Sequence, residues 1–199
     1  MDIEKELVNL LKLGREERFL DYKESVAWAD YKLKIAKTAL GMANLRDGGT
    51  IIIGVCEENG KFIARGIKEE HLTTYNQDDV QAFVNSYADP YVRIELHQVE
   101  DSKLKFLAIV IHEFEEVPVI CRKDGGNGTL RKGAIYTRSY RMPETCEVPS
   151  QTEMREIIEI ATERGIKRYL IVSARLGVPI DQMAKMSNQD AFAKQRGDL

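Results

Sequence analysis

Apolar residues recur along this chain with two different periods, and the change of period marks its elements. Ile3, Leu7, Leu10 and Leu11 fall on one helical face, with Asp2 placed to cap it and Gly14 to end the segment. Residues 18–22 are short enough for a strand. Asp30 stands as the cap of a longer helix whose broad apolar face is Leu33, Ile35, Ala36, Ala39, Leu40 and Ala43, broken by Asp47-Gly48-Gly49. Thr50–Val55 is β-branched and almost wholly apolar, the signature of a central strand covered on both faces. A turn at Glu58-Asn59-Gly60 lets Phe62–Gly66 return beside it.

The second half repeats the mixture. Val80, Phe83, Val84 and Tyr87 have helical spacing and stop at Asp89-Pro90. Val92–Val99 alternates and Leu104–Ile111 is apolar throughout, so a hairpin turning at Asp101-Ser102 is expected. Residues 118–121 and 134–138 are short strands flanking the glycine-rich loop Asp124-Gly125-Gly126-Asn127-Gly128. Ser150 and Glu153 form a capping box ahead of Met154, Ile157, Ile158 and Ala161, and Gly165 ends that helix. Ile166–Leu176 is a further helix, and the tail from Pro179 carries Met183, Met186 and Phe192. Helices before, between and after a central block of strands predict an α+β fold, a mixed and mostly antiparallel sheet flanked by helices, with a C-terminal helical extension.

Composition narrows the class. The 199 residues, 43% hydrophobic and 31% charged, suit one globular domain with a small appendage. No apolar run reaches the roughly 18 residues of a membrane span, and the acidic N-terminus is no secretory signal, so a cytoplasmic location and no membrane partner are expected. Cys56, Cys121 and Cys146 are odd in number and unrelated in spacing, which argues against a disulfide framework or a zinc site. His71, His97 and His112 share no ligand spacing. A dinucleotide fingerprint and a P-loop are both absent, since the glycines precede the strand and no Gly-Lys-Ser/Thr occurs. No Gly-x-Ser-x-Gly elbow supports nucleophilic catalysis.

Charge is unevenly spread. The net charge is −3, yet residues 121–141 hold six cations (Arg122, Lys123, Arg131, Lys132, Arg138, Arg141) against Asp124, a net of +5, while residues 142–163 hold six acids against Arg155, a net of −5. If residues 118–121 pair with 134–138, the loop projects as a basic finger able to neutralise phosphates and release counterions. Its glycines would let backbone N–H groups approach oxygens, and Tyr136 and Tyr140 would offer faces for base stacking. The plainer alternative is a solvated hairpin whose charges protect an edge. A third is a protein-interaction module in which the finger meets the acidic 142–163 stretch of another subunit.

The stretch Phe19–Ser25, Ala43-Asn44 with Gly48-Gly49, Ile53-Gly54-Val55, and Ile135-Tyr136-Thr137-Arg138-Ser139 together resemble the Schlafen AlbA_2 domain family over about residues 14–160. The resemblance implies an α/β sandwich-like nucleic-acid-binding domain at 1–149, followed by a helical extension at 150–199. It also implies a DNA-binding transcriptional regulator or accessory factor, with DNA preferred to RNA as partner. Lys23, just after the first short strand, is expected to join the six cations at the interface, with a surface ion pair as the alternative, and no cofactor is expected. Most bacterial members continue into ATPase-like and winged-helix regions. One subset, the Schlafen nucleases, carries two acids five residues apart and a third after the glycine strand. Glu16, Asp21 and Glu57 fall on those positions, with Asp21 and Glu57 each differing from the pattern by one methylene, about 1.5 Å. The rival function is therefore a ribonuclease in which three carboxylates hold Mg²⁺ or Mn²⁺. Leu176-Gly177-Val178 also has the form of a helix-turn-helix corner, although two helices joined at a glycine are a common packing unit. A homo-oligomer joined through the C-terminal helices is the expected assembly.

Overall fold

A computed structural model describes residues 3–177. The order is α1 (Ile3–Leu11), β1 (Leu20–Lys23), α2 (Trp28–Ala43), β2 (Gly49–Ile53), β3 (Val55–Glu58), β4 (Lys61–Ala64), α3 (Glu69–Leu72), α4 (Gln77–Asn85), β5 (Ala88–Asp89), β6 (Ile94–Asp101), β7 (Leu104–Ile111), β8 (Ile120–Cys121), β9 (Tyr136–Arg138), β10 (Thr145–Glu147) and α5 (Gln151–Leu176). The main sheet has the order β1-β2-β7-β6, with β1 parallel to β2 and the other pairs antiparallel. The α+β expectation therefore holds.

Strand β2 is apolar because both its faces are covered. Ile51 and Ile53 pack with Ile35, Ala39 and Leu40 of α2, Val80 and Val84 of α4, and Ile157 and Ile160 of α5. Ile52 faces the other way, toward Leu7 and Leu11 of α1, with Leu20, Tyr22 and Phe106. One residue of register slip would exchange these two cores, which is what fixes the pairing.

Two glycines are dictated by close approach. Gly48, at φ +74°, runs so near β7 that a Cβ there would lie 2.1 Å from the Ile111 oxygen. Gly54, at φ +116°, bends the chain out of β2 into the β3–β4 hairpin, and a Cβ would meet the Gly66–Ile67 backbone at 2.8 Å.

The free edge of β6 is finished by side chains. Gln77, Gln81 and Asn85 recur every fourth residue on α4. Gln77 bonds Leu96 N and Ile94 O (both 2.8 Å), Gln81 bonds Ile94 N (2.9 Å) and Val92 O (2.6 Å), and Asn85 bonds Val92 N (2.7 Å) and Val92 O (2.9 Å). One helix face thus imitates the strand that would otherwise lie there.

Several boundaries differ from expectation. α2 starts at Trp28, with Ala27 rather than Asp30 at the cap position, and the Trp28 ring packs against Tyr75 and Phe83. Gly165 does not end a helix. α5 runs on for 26 residues to Leu176, closed by Gly177 in the left-handed region. An interior glycine costs only about 1 kcal/mol, which flanking turns can absorb. The strands flanking the basic loop meet at a single bridge, Ile120–Ile135, while β8 pairs with β5 and β9 with β10. The expected cap Asp2, the methionine tail and the second half of the helix-turn-helix corner lie outside the described residues.

Asn44 locks the junction between α2, β8 and β9. Its fully buried amide donates to Val119 O and Tyr136 O (both 2.9 Å) and Leu40 O (3.3 Å), and accepts from Val119 N at 2.7 Å. Each buried partner left bare costs about 1–3 kcal/mol. Asn44→Ala should lower unfolding free energy by about 3 kcal/mol or more in urea titrations; a loss below about 1 kcal/mol would show that water can replace the amide.

Candidate nucleic-acid interface

The cations of residues 121–141 do not act alike. Arg138 turns inward and is 1% exposed. Its Nη1 meets Asp21 Oδ1 at 3.0 Å, and its Nη2 donates to Glu17 O and Leu20 O, both at 3.1 Å. Leu20 and Tyr22 point their backbone groups away from β2, so they form the outer edge of the sheet. Arg138 satisfies Leu20 O, the Glu16 carboxylate accepts from Tyr22 N (3.0 Å), and Lys23 Nζ reaches Tyr22 O (3.1 Å). Lys23 also lies 2.6 Å from Asp21 Oδ2, a charge contact. These polar residues complete a sheet edge, as the α4 amides do at the opposite border.

Arg131 is exposed but held by both oxygens of Glu147, at 2.8 and 2.5 Å. The acidic 142–163 stretch is largely spent within the chain. Glu147 takes Arg131, Glu156 takes Arg18, Glu163 takes Arg46, and Glu153 binds the Ser150 hydroxyl and faces Tyr140 N. That use removes most of the charge the interaction-module alternative would need.

Arg122, Lys132 and Arg141 are exposed and have no ion-pair partner among the described residues. Lys123, also exposed, extends over the Tyr87 ring with its ammonium 4.3 Å from the centroid. The loop bearing the first two and Lys123 is tied at its base by Cys121 N to Ala134 O (2.8 Å) and Gly133 N to Cys121 O (2.7 Å). Farther out, Gly125 bridges Leu130. It is therefore more ordered than a flexible finger.

A feature the linear charge tally missed comes from α2. Gly125 and Gly126 of the loop pack beside Leu33. Lys32 lies over Phe83 (5.3 Å), Phe83 adjoins Tyr87 (5.4 Å), and Tyr87 carries Lys123. On the next turn, Lys37 lies 5.7 Å over Tyr136, the ring whose hydroxyl accepts from Arg131 N. Lys32 and Lys37 thus flank the place where the loop rests on α2, whereas Lys34, two residues from Lys32, lies over Tyr31. Their helical spacing alternates with the apolar stripe, a signal present in the sequence but indistinguishable there from an ordinary solvated face. Tyr136 is 2% exposed, so it offers no stacking surface, contrary to expectation, whereas Tyr140 is well exposed.

The three candidate metal carboxylates do not fit a shared ion. Burial, and after it the charge of Asp21, raise the Glu16 carboxyl above its ordinary range, so these two are close. Asp21 is already engaged by Arg138 and Lys23. Glu57 is exposed in β3 opposite Phe62, whose ring meets Tyr22 at 5.1 Å; Asp21, the neighbour of Tyr22, points to the other face of β1. Among the described residues no three His, Cys, Asp or Glu side chains gather to hold a metal.

The family model described as Schlafen, AlbA_2 matches residues 16–147. The chain belongs to the Schlafen AlbA_2 family. The match ends just before α5. Two solved structures are similar to the chain. The DIP2311 protein from Corynebacterium diphtheriae is 16% identical with a TM-score of 0.48, covering 76% of this chain but 27% of that one. The N-terminal domain of a RecG-related protein from Nitrosomonas europaea is 18% identical with a TM-score of 0.43, covering 65% and 87%. The chain therefore spans about a quarter of the Corynebacterium protein. No curated protein matches the sequence. No helix among the described residues is long and apolar enough to cross a membrane.

Two outcomes are expected. Arg138→Met strands the Asp21 carboxylate and should cost about 3 kcal/mol, most of it recovered in the Arg138→Met/Asp21→Asn double variant; additive losses in urea titrations would deny the coupling. A raised Glu16 means the folded state favours the protonated form, so its stabilising influence fades as pH rises through and above the ordinary carboxylate range. Glu16→Gln should melt with wild type near pH 4 and above it at pH 7; a parallel pH profile would contradict this.

Proposed function

We propose that this AlbA_2 domain binds nucleic acid, DNA in preference to RNA, through phosphate contacts, and serves in the cytoplasm as a transcriptional regulator or accessory factor. The observation that carries the reading is that the loop with exposed Arg122, Lys123 and Lys132 settles through its glycines on Leu33 of α2, between Lys32 and Lys37, cations without ion-pair partners among the described residues of a protein of net charge −3. Such a patch can focus a positive field that the whole molecule lacks. Family membership and the name of the RecG-related neighbour agree with a nucleic-acid partner. Arg141 lies beyond β9 and belongs to a second contact area. Arg138 and Lys23 serve the sheet edge instead, and Arg131 enters the interface only by sharing its guanidinium with Glu147.

The contacts are electrostatic, so log affinity should fall linearly with log salt, by about 0.9 per phosphate neutralised on duplex DNA. Fluorescence anisotropy with a short duplex should show this slope. Arg122→Ala/Lys132→Ala should reduce it by about 2 while leaving the melting temperature unchanged. Absence of binding at low salt, or an unaltered slope in the variant, would reject the assignment.

A further inference from the structure

Tyr140 is an exposed aromatic ring that the phosphate face does not absorb, with Arg141, a cation unpaired among the described residues, beside it. We infer that Tyr140 is a stacking platform for one base of a single-stranded or unwound segment, a reading that rests on the nucleic-acid function proposed above. The ring is 58% exposed. One of its faces is covered by the Arg18 guanidinium, 3.6 Å from the ring centroid. Arg18 is immobilised in turn, by both oxygens of Glu156 (3.1 and 2.7 Å) and by Arg138 O (2.8 Å). The Arg138 side chain is buried against β1. Tyr140 N faces Glu153 at 3.4 Å. The ring is thus backed by a cation that α5 and β9 hold, and its exposure belongs to the opposite face and edge.

That geometry is what a base-binding ring requires. Its ordering cost is met on folding rather than on binding, and the stacked cation leaves the free face as the open contact surface. Tyr140 lines a cleft of about 440 Å³ with Ser139, Arg141, Pro149, Ser150, Thr152 and Glu153, the last engaged by the Ser150 hydroxyl and Tyr140 N. Arg141, exposed and without an ion-pair partner among the described residues, supplies a charge for the adjoining phosphate. Tyr140 follows Tyr136 by four residues, at most about 14 Å along the chain, so a strand held at the basic loop can reach it. Tyr136, buried with its hydroxyl bonded, cannot take this role.

The test compares wild type, Tyr140→Ala and Tyr140→Phe by anisotropy on a labelled oligothymidine, the same strand with abasic sites, and a duplex, all at one salt concentration. Tyr140→Ala should bind the oligothymidine about tenfold more weakly, and Tyr140→Phe like wild type. Duplex affinity should stay within twofold throughout, and wild type should bind the abasic strand about as weakly as Tyr140→Ala binds oligothymidine. Equal weakening of Tyr140→Ala on duplex and single strand, or none on either, would overturn the inference while the salt-dependent duplex binding still stood. Binding by wild type to none of the three would remove the nucleic-acid reading and this inference together.

Discussion

The fold turns on a buried guanidinium. Arg138 lies at the border of the main sheet with almost no accessible surface, and its charge is met by Asp21 one strand away. A lone buried cation would be prohibitive, and a lone buried carboxylate equally so. Neither residue is tolerable without the other, and together they join β9, contributed late in the chain, to β1, contributed early. Arg138 O then receives Arg18, and Arg18 receives Glu156 from α5. A single neutralisation requirement therefore joins an early segment of the chain to two that lie more than a hundred residues later.

The same requirement explains why a plausible catalytic set has a different role here. Glu16, Asp21 and Glu57 have the residue types and spacing of a metal-dependent nuclease, but Glu16 is bonded to the backbone of the sheet border, Asp21 to its charges, and Glu57 stands exposed in β3. Two acids five residues apart with a third beyond the glycine strand are chemically ambiguous. What separates a metal site from an edge fitting is the position of a distant arginine and the face to which alternate strand residues point. Glu57 sits on the far side of that alternation.

Much of the architecture was legible before any coordinates. The apolar run at 50–55 could only be an interior strand, alternation at 92–99 marked an amphipathic one, and Gly48 and Gly54 stood where close packing demands them. Helix ends were read less well: Ala27 caps α2 without a side-chain bond, and Gly165 passes unnoticed inside α5, because neither position is decided by local propensity alone. The basic loop was visible as a run of charge, but three of its features were not. Arg138 faces inward because an acid 117 residues away draws it. Glu147 takes Arg131 through the pairing of β9 with β10. The lysines of α2 enter the face only because two loop glycines settle on Leu33. Linear charge counts cannot register such long-range pairings.

The amide row of α4 has a consequence for how copies of this protein meet. An open strand border invites a neighbour's strand to add to it, and repeated addition makes fibres. Along Val92–Ile94 every outward N–H and C=O, and beyond them the Leu96 N–H, is already taken by Gln77, Gln81 or Asn85. Recruitment of another chain there would first require pulling a helix away, with the core residues Val80 and Val84 that anchor it. The sheet is thereby held at four strands, and crowding on a polyanion need not carry a risk of aggregation through this border.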